Sequence, residues 1–162
     1  MVVILLKINI SQRTSDVHRT ILTKFVYFFN LSLGVFTMTS LKRINYPHLP
    51  TPGGPYVHAV RHGDTLYVSG LTAFATEAQG QTTQQQTQAV LEQLATIAAT
   101  EGTNLKALIK ITVFLTDIGD LPAIRPVLFD YCDGALPACS LVAVSALFSP
   151  QVSVEIEAVL AL

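Results

Sequence analysis

The chain has 162 residues and a formal net charge of −1, with ten Lys and Arg against eleven Asp and Glu. This length favours a single domain with enough residues for a hydrophobic core. Half of the residues are apolar and 13% are charged, so a monomer would expose large apolar patches unless a partner covered them. Residues 38–162 hold six Lys and Arg against ten Asp and Glu, a balance of −4. That balance argues against general binding of a phosphate backbone.

The chain contains two cysteines, Cys132 and Cys139. They form no CxxC pair, and no histidine stands at metal-ligand spacing from either of them. We therefore expect neither a disulfide framework nor a metal site, and a reducing compartment such as the cytoplasm suits this cysteine content.

Residues 1–37 do not read as part of the domain. Their two apolar runs, 2–6 and 25–36, are too short to span a bilayer, which takes about 20 residues. A signal peptide would place its charges first and would end in a small-residue cleavage site, and neither is present. We interpret 1–37 as sequence upstream of a true start at Met38, so that the domain is 38–162. A membrane anchor or uncleaved signal, and a folded N-terminal element, are the alternatives.

The first part of the domain predicts a loop and a hairpin. Residues 47–55 are rich in proline and glycine, which predicts a rigid loop that continues neither a helix nor a central strand. Two β-rich runs follow, 56–60 and 65–69, around a Gly-Asp turn, and this arrangement is typical of a hairpin. We expect Ser69 and Gly70 to end its second strand.

A helix and a strand are predicted next. Residues 83–86 have the sequence of a capping box, with a threonine hydroxyl for a backbone N–H and a glutamine that reaches back. This pattern predicts a helix from Thr83 to about Glu101, closed by Gly102. A strand at 107–115 follows, and four alternating residues are expected on one of its faces: Ile109, Ile111, Val113 and Leu115.

The last predicted elements are a second helix and two strands. Asp120 is expected to cap a helix that runs to about Cys132 and is bent by Pro126. Strands at 138–147 and 152–160 complete the order β-β-α-β-α-β-β, with 41–46 as a candidate extra strand. Two helices cover only one face of such a sheet, and its other face still carries apolar residues. A closed oligomer that buries the second face satisfies both observations.

Five segments, in this order, resemble the RidA/YjgF family along nearly all of residues 38–162, and the two predicted helices fall in the correct gaps. The segments are Gly54 to Tyr56, Leu66 to Gly70, Ile109 to Leu115, Pro137-Ala138-x-Ser140 and Val154 to Ala158. The resemblance implies an α+β, chorismate-mutase-like fold, in which a mixed β-sheet carries two helices on one face. It also implies a homotrimer with three clefts between its subunits.

The best-known members of that family are deaminases, which hydrolyse reactive enamines and imines, such as 2-aminoacrylate, to a keto acid and ammonia. They need no metal or organic cofactor, so the resemblance implies none here. The family has also been linked to RNA cleavage, which the acidic balance of the domain disfavours. We therefore expect a small-molecule ligand and further copies of the chain as partners, and neither nucleic acid nor a membrane.

One position departs from the deaminating members. Their Pro-Ala-x-Ser segment has arginine as its third residue, and the guanidinium holds the substrate carboxylate through two parallel hydrogen bonds. Here that residue is Cys139, and a thiol offers a carboxylate no such attraction. The loop at 133–137 also looks shorter than in those members. We expect an altered substrate preference, with Cys139 as the floor of the pocket, a reactive thiol or a small buried residue.

The resemblance places the other site residues at Glu155, Tyr56, Ser69 and Gly70. Glu155 matches a glutamate that positions water, and one carboxyl can act first as base and then as acid. Its alternative is a solvated strand face shared with Glu157. Tyr56 matches a cleft tyrosine, or else lies at a subunit edge. Ser69 and Gly70 match residues whose free backbone N–H groups meet an anion, or else they form a turn.

Arg125 is a further substrate-binding candidate if the second helix faces the cleft, and otherwise it is a solvated charge. His58 and His62 flank the hairpin and are expected at the surface. Two functional classes follow. One is a cofactor-free hydrolytic deaminase of enamines or imines that do not rely on an α-carboxylate. The other is a non-catalytic trimeric small-molecule-binding or regulatory protein of the same fold.

Overall fold

The computed structural model describes residues 40–162, so the predictions for residues 1–37 lie outside the described residues. Six strands and two α-helices follow one another in the order expected for an α+β domain, with short 3-10 turns at Leu105–Ala107 and Ile118–Asp120. The elements are β1 (Leu41–Ile44), β2 (Ala59–His62), β3 (Thr65–Thr72), α1 (Thr83–Thr100), β4 (Leu108–Leu115), α2 (Leu121–Cys132), β5 (Ala138–Ala143) and β6 (Val154–Ala161).

The strands form one mixed sheet in the order β1-β2-β3-β6-β4-β5. All neighbours are antiparallel except β4 and β5, which run parallel. Helix α2 makes the crossover between these two strands, as a parallel pair requires. The candidate strand at 41–46 is present as β1, and β1 and β5 are the two edges of the sheet.

The hydrophobic core lies between the helices and one face of the sheet. Along β6, Val154, Ile156, Ala158 and Leu160 are buried, and the residues between them are not. The buried face packs with apolar side chains of both helices, chiefly Val90, Leu91, Leu94, Ile97, Ile124 and Val127. The residues that alternate with the core keep large apolar side chains in contact with solvent, such as Tyr67 and Val142.

The N-cap of helix α1 lies one residue earlier than the sequence pattern predicts. It is Thr82, whose hydroxyl accepts the N–H of Gln85, and the Gln85 side chain accepts the N–H of Thr82 in return. The hydroxyl of Thr83 instead donates to the carboxylate of Asp120. Asp120 therefore stands at the N-cap of α2 without making a side-chain cap bond there, and the starts of the two helices are tied together.

A β-bulge in β4 overturns part of the predicted face. Leu108 pairs with Leu160 and Lys110 pairs with Val159, so Ile109 is an extra residue without its own partner. Leu108 is consequently buried with Ile111, whereas Ile109 is 48% exposed. A prediction that assumes strict alternation of buried and exposed residues cannot reveal a bulge, because the inserted residue moves every earlier residue of the strand to the opposite face.

The last two strands are shorter than predicted, because β5 ends at Ala143 and β6 begins at Val154. One further backbone bond, from the N–H of Val144 to the carbonyl of Leu115, extends the pairing past β5. Within residues 40–162, neither helix has the length and apolarity needed to cross a bilayer.

Candidate active site

A second β-bulge shapes the site. Val68 pairs with Ala158 and Leu71 pairs with Ile156, so two residues of β3, Ser69 and Gly70, lie opposite a single residue of β6. The strand therefore does not end at Ser69 and Gly70, as predicted, but continues to Thr72. Bulges bend a strand locally and redirect its side chains, which is why they recur beside active sites.

The carboxyl group of Glu155 lies against Gly70. A Cβ atom built on residue 70 would overlap Oε1 of Glu155 and would lie 2.7 Å from its Cδ. Real Cβ atoms do not approach other heavy atoms so closely, so glycine is required for the carboxyl group to occupy this position.

The surroundings of Glu155 make its carboxyl group harder to ionise than a solvated one. Burial removes water from the carboxyl group, and the charge of Glu157, two residues along β6, adds repulsion, so the pKa of Glu155 is raised above its ordinary value. Glu157 itself is exposed. A carboxyl group with a raised pKa and a place in a cavity has the properties of a proton-transfer group.

The bulge and Glu155 line a cavity of about 550 Å³. Four of the residues predicted for the site meet there: Tyr56, Ser69, Gly70 and Glu155. The wall is completed by the proline-rich loop from Leu49 to Gly54 and by His58, Leu71, Thr72, Phe74, Gln93 and Phe148. Among these described residues Glu155 is the one acidic side chain, and neither lysine nor arginine contributes to the wall.

Ser69 is hydrogen-bonded within its own chain, in contrast to the predicted free backbone N–H. Its backbone N–H donates to the carbonyl of His58 at 3.0 Å, so it is not free to meet an anion. Its hydroxyl donates to the carbonyl of Val57 at 2.7 Å. Both bonds attach the segment that follows Tyr56 to the bulge, and a contact between Ser69 and a ligand stays a prediction.

His58 is buried, which contradicts its predicted place at the surface. The backbone N–H of Tyr46 donates to its Nδ1, and its Nε2 lies 2.9 Å from the carbonyl of Pro50. Because Nδ1 accepts a hydrogen bond, the N–H that faces the Pro50 carbonyl is on Nε2. His58 therefore fixes the start of the proline-rich loop that lines the cavity.

Cys139 and Arg125 lie outside the cavity of this chain. Cys139 is exposed on the edge strand β5, and Arg125 is exposed on α2. Desolvation raises the pKa of the Cys139 thiol, which disfavours the thiolate that a reactive cysteine needs. Cys132 is buried.

Three cavity residues had no signal in the sequence. Gln93 lies on the polar side of α1 and donates to the carbonyl of Thr72. Phe74 and Phe148 come from connections outside regular structure. Residues in connections carry no periodicity, so nothing in the sequence pattern assigns them to a wall.

Comparison with known proteins assigns the fold to a described family. The family model with the description Endoribonuclease L-PSP matches residues 47–162. The chain belongs to the RidA/YjgF family. In agreement, RidA from the Antarctic bacterium Psychrobacter sp. superimposes with a TM-score of 0.68 at 28% identity, over 75% of this chain and 99% of that one. The predicted fold class is thereby confirmed.

Two curated relatives show the range of the RidA/YjgF family. The 2-iminobutanoate/2-iminopropanoate deaminase of Dermatophagoides farinae is 28% identical over 125 residues, which cover 75% of this chain and 97% of the relative. The mitochondrial protein mmf2 of Schizosaccharomyces pombe is 37% identical over 93 residues, or 56% of this chain and 73% of the relative.

Proposed function

We propose that this chain is a cofactor-free hydrolase of reactive enamines or imines. The observation that carries the proposal is the carboxyl group of Glu155, half-buried against Gly70 in the wall of a cavity of ligand size. A raised pKa suits a group that must both accept and return a proton. The deaminase among the relatives supports the same reaction class.

The reaction needs one water and one carboxyl group. In this scheme the carboxylate of Glu155 takes a proton from water as the oxygen bonds to the C=N carbon. The same carboxyl group returns that proton to nitrogen, which gives a carbinolamine. It then carries the hydroxyl proton of the carbinolamine to nitrogen as well, so that the C–N bond breaks, ammonia leaves and the carbon becomes a carbonyl. An enamine first isomerises to the imine by protonation at carbon. The Tyr56 ring and hydroxyl supply a wall and a hydrogen bond beside the substrate.

Cys139 in place of the family arginine alters the substrate preference in this proposal. The cavity wall of the described chain holds a carboxyl group and no lysine or arginine, so it offers a substrate carboxylate no charge partner. Imines that lack an α-carboxylate fit such a site better than 2-aminoacrylate does. Arg125, exposed on α2, would supply a cation only across a subunit contact.

We further propose a homotrimer with its clefts between subunits. Two observations support it: apolar side chains such as Tyr67 and Val142 are exposed on the sheet, and Cys139 lies on a free edge, away from its own chain's cavity. Assembly would bring Cys139 of a neighbouring subunit to the cavity mouth. Light scattering at micromolar concentration tests this, and a uniform monomer would refute it.

The same proposal expects small molecules and copies of this chain as partners, and neither nucleic acid nor a membrane. The balance of −4 over residues 38–162 supports the first of these exclusions. A cytoplasmic location suits two unpaired cysteines, whereas one relative is mitochondrial. Microscopy of the tagged full chain decides between the two compartments.

The second candidate function is a non-catalytic trimer that binds or senses a metabolite. The exchange of the family arginine for Cys139 favours it. A site without this anchor can still bind a small molecule but no longer hold it in the orientation that turnover needs. An assay of ammonia release separates the two. Imines are generated in situ from a panel of amino acids and decarboxylated amines, and ammonia is followed with and without the protein. Acceleration that is lost in Glu155→Gln supports the enzyme, and no acceleration on any imine supports the binding protein.

A further inference from the structure

Two phenylalanine rings stand in the wall of the cavity that holds Glu155. The ring centroids of Phe74 and Phe148 are 5.3 Å apart, and their planes meet at 71°. Phe74 is 43% exposed and Phe148 is 67% exposed. Large apolar side chains that are exposed in a cavity rather than packed in the core are typical of a contact surface for a ligand.

The connections that carry these rings are fastened to each other. The carbonyl of Gln151 accepts the N–H of Gly80 at 2.9 Å and the side-chain amide of Gln86 at 3.3 Å. The other end of the Gln86 amide accepts the N–H of Ser153 at 2.9 Å. Gln86 is 2% exposed, so its side-chain amide is shielded from water. The segment after Phe74 is thereby joined to the segment after Phe148, and the corner between the rings is set before a ligand arrives.

The geometry of the corner selects the shape of the occupant. Rings that meet edge to face leave an angle in which a third ring packs against one face and one edge, the arrangement that aromatic groups prefer. The nearby charge of the wall comes from Glu155, which attracts a protonated imine or amine. The same cavity therefore offers an apolar corner and an anionic group at different places.

We propose that Phe74 and Phe148 form a specificity subsite for an aromatic or bulky apolar substituent, so that the preferred substrates are imines of arylalkyl amines without a carboxylate. This inference rests on the proposed function and names its substrate class. One well-packed ring contact of this kind corresponds to about a tenfold preference over a small alkyl substituent, or about 1.4 kcal/mol.

The test uses the full chain and two stable amines, phenethylamine and ethylamine, in isothermal calorimetry. We expect phenethylamine to bind about tenfold more tightly, and Phe148→Ala to remove that preference. Phe129→Ala is the matched control, because Phe129 is 57% exposed on α2 and does not line the cavity. Equal affinity of the two amines for the unaltered protein would overturn the subsite without any variant, and so would an equal loss of preference in Phe129→Ala.

A second readout keeps this inference apart from the proposed function. Each amine is converted to its imine in situ by an amine oxidase, and ammonia release is followed at several concentrations. Preferential binding of phenethylamine with no accelerated ammonia release would contradict the proposed hydrolase and support the subsite. Accelerated ammonia release with the same kcat/KM for both imines would support the hydrolase and contradict the subsite. Circular dichroism and light scattering check that each variant keeps its secondary structure and its oligomeric mass. A Phe148→Ala protein with a lower oligomeric mass would show that the ring is structural, and this result would overturn the subsite.

Discussion

Oε1 of Glu155 occupies the space that a Cβ atom on residue 70 would fill. The bulge at Ser69 and Gly70 brings the two strands into this register, because two residues of β3 face one residue of β6. The carboxyl group is thus positioned by the absence of a side chain opposite it. Its neighbour Glu157 and its own burial then raise its pKa.

Gly70→Ala tests this contact. The added methyl group must displace the Glu155 carboxyl group, which is the far end of a flexible side chain beside a cavity, so we expect a loss of no more than about 1 kcal/mol in the free energy of unfolding. Any ammonia-releasing activity should fall as well. Urea denaturation measures the first effect. Gly53→Ala is the control, since a Cβ there has nothing within 4 Å, and its stability should change by less than about 0.5 kcal/mol.

Glu155→Gln should change how stability depends on pH. A raised pKa in the folded state means that the neutral carboxyl group is the stabilising form, fully present below the ordinary pKa of 4.5 and lost as pH rises through the folded value. The variant has no such loss, so it should be the more stable protein at neutral pH, and the difference should disappear at low pH. Urea titrations between about pH 4 and pH 7 measure it.

Glu157→Gln is the companion change for that experiment. Removing its charge takes away one of the two causes of the raised pKa of Glu155, so the pH at which the carboxyl group ionises should move down. An unchanged ionisation would mean that burial acts alone. Infrared or NMR titration of the carboxyl group reports this pH directly.

His58→Ala should destabilise the proline-rich loop. It leaves the buried N–H of Tyr46 without its acceptor, and an unsatisfied buried donor costs about 1–3 kcal/mol. His48→Ala serves as the comparison, because His48 is an exposed ring that touches Tyr46 through a tilted contact, and it should cost less than about 0.5 kcal/mol. Similar losses for both histidines would show that the two buried hydrogen bonds contribute nothing specific.

Cys139→Arg should raise activity on substrates that carry a carboxylate. A bidentate contact in a sheltered cleft contributes roughly 2–4 kcal/mol, which is roughly a 30- to 1,000-fold change in binding. We therefore expect feeble turnover of 2-aminoacrylate by the unaltered protein and a clear gain in the variant. Steady-state kinetics with 2-aminoacrylate generated in situ measure both.

Two controls accompany the arginine variant. Cys139→Ser keeps the size of the side chain and should show no gain. Cys139→Arg combined with Glu155→Gln should lose most of the gain, because an amide is a poor base. Strong turnover of 2-aminoacrylate by the unaltered protein would contradict the reasoning from Cys139, and Arg125 would then be the first alternative partner for the carboxylate.

A chain that starts at Met38 should fold and assemble like the full chain. The family match begins at residue 47, so it lies wholly after Met38. Sedimentation and circular dichroism of the two chains should agree in mass and in secondary structure. A shorter chain of markedly lower stability would assign a structural role to residues 1–37.

The order of the elements could be predicted from the sequence because periodicity and caps report on local structure. The end of α1 shortly before Gly102 and the turn between His62 and Thr65 follow directly from such signals. The two β-bulges could not be predicted in this way. The extra Ile109 breaks the alternation of faces with no local signal. At Ser69 and Gly70 the one signal is the glycine, which the sequence pattern equally allows as the end of the strand.

The site could be predicted only where family segments mark it. Tyr56, Gly70 and Glu155 lie in such segments and meet in one cavity. His58 was placed at the surface because its partners, Tyr46 and Pro50, are brought to it by the fold of the loop and by no sequence spacing. Whether a polar residue is buried depends on partners of this kind, which a single sequence does not display.

Strand β5 is paired on one side only, and its six residues, Ala138 to Ala143, include no charge and no proline. Natural edge strands use such residues to prevent the addition of a foreign strand. A single copy of this chain therefore carries an open template for aggregation. Slow expression at low temperature should favour soluble protein over inclusion bodies, because it lowers the concentration of chains whose β5 edge is open.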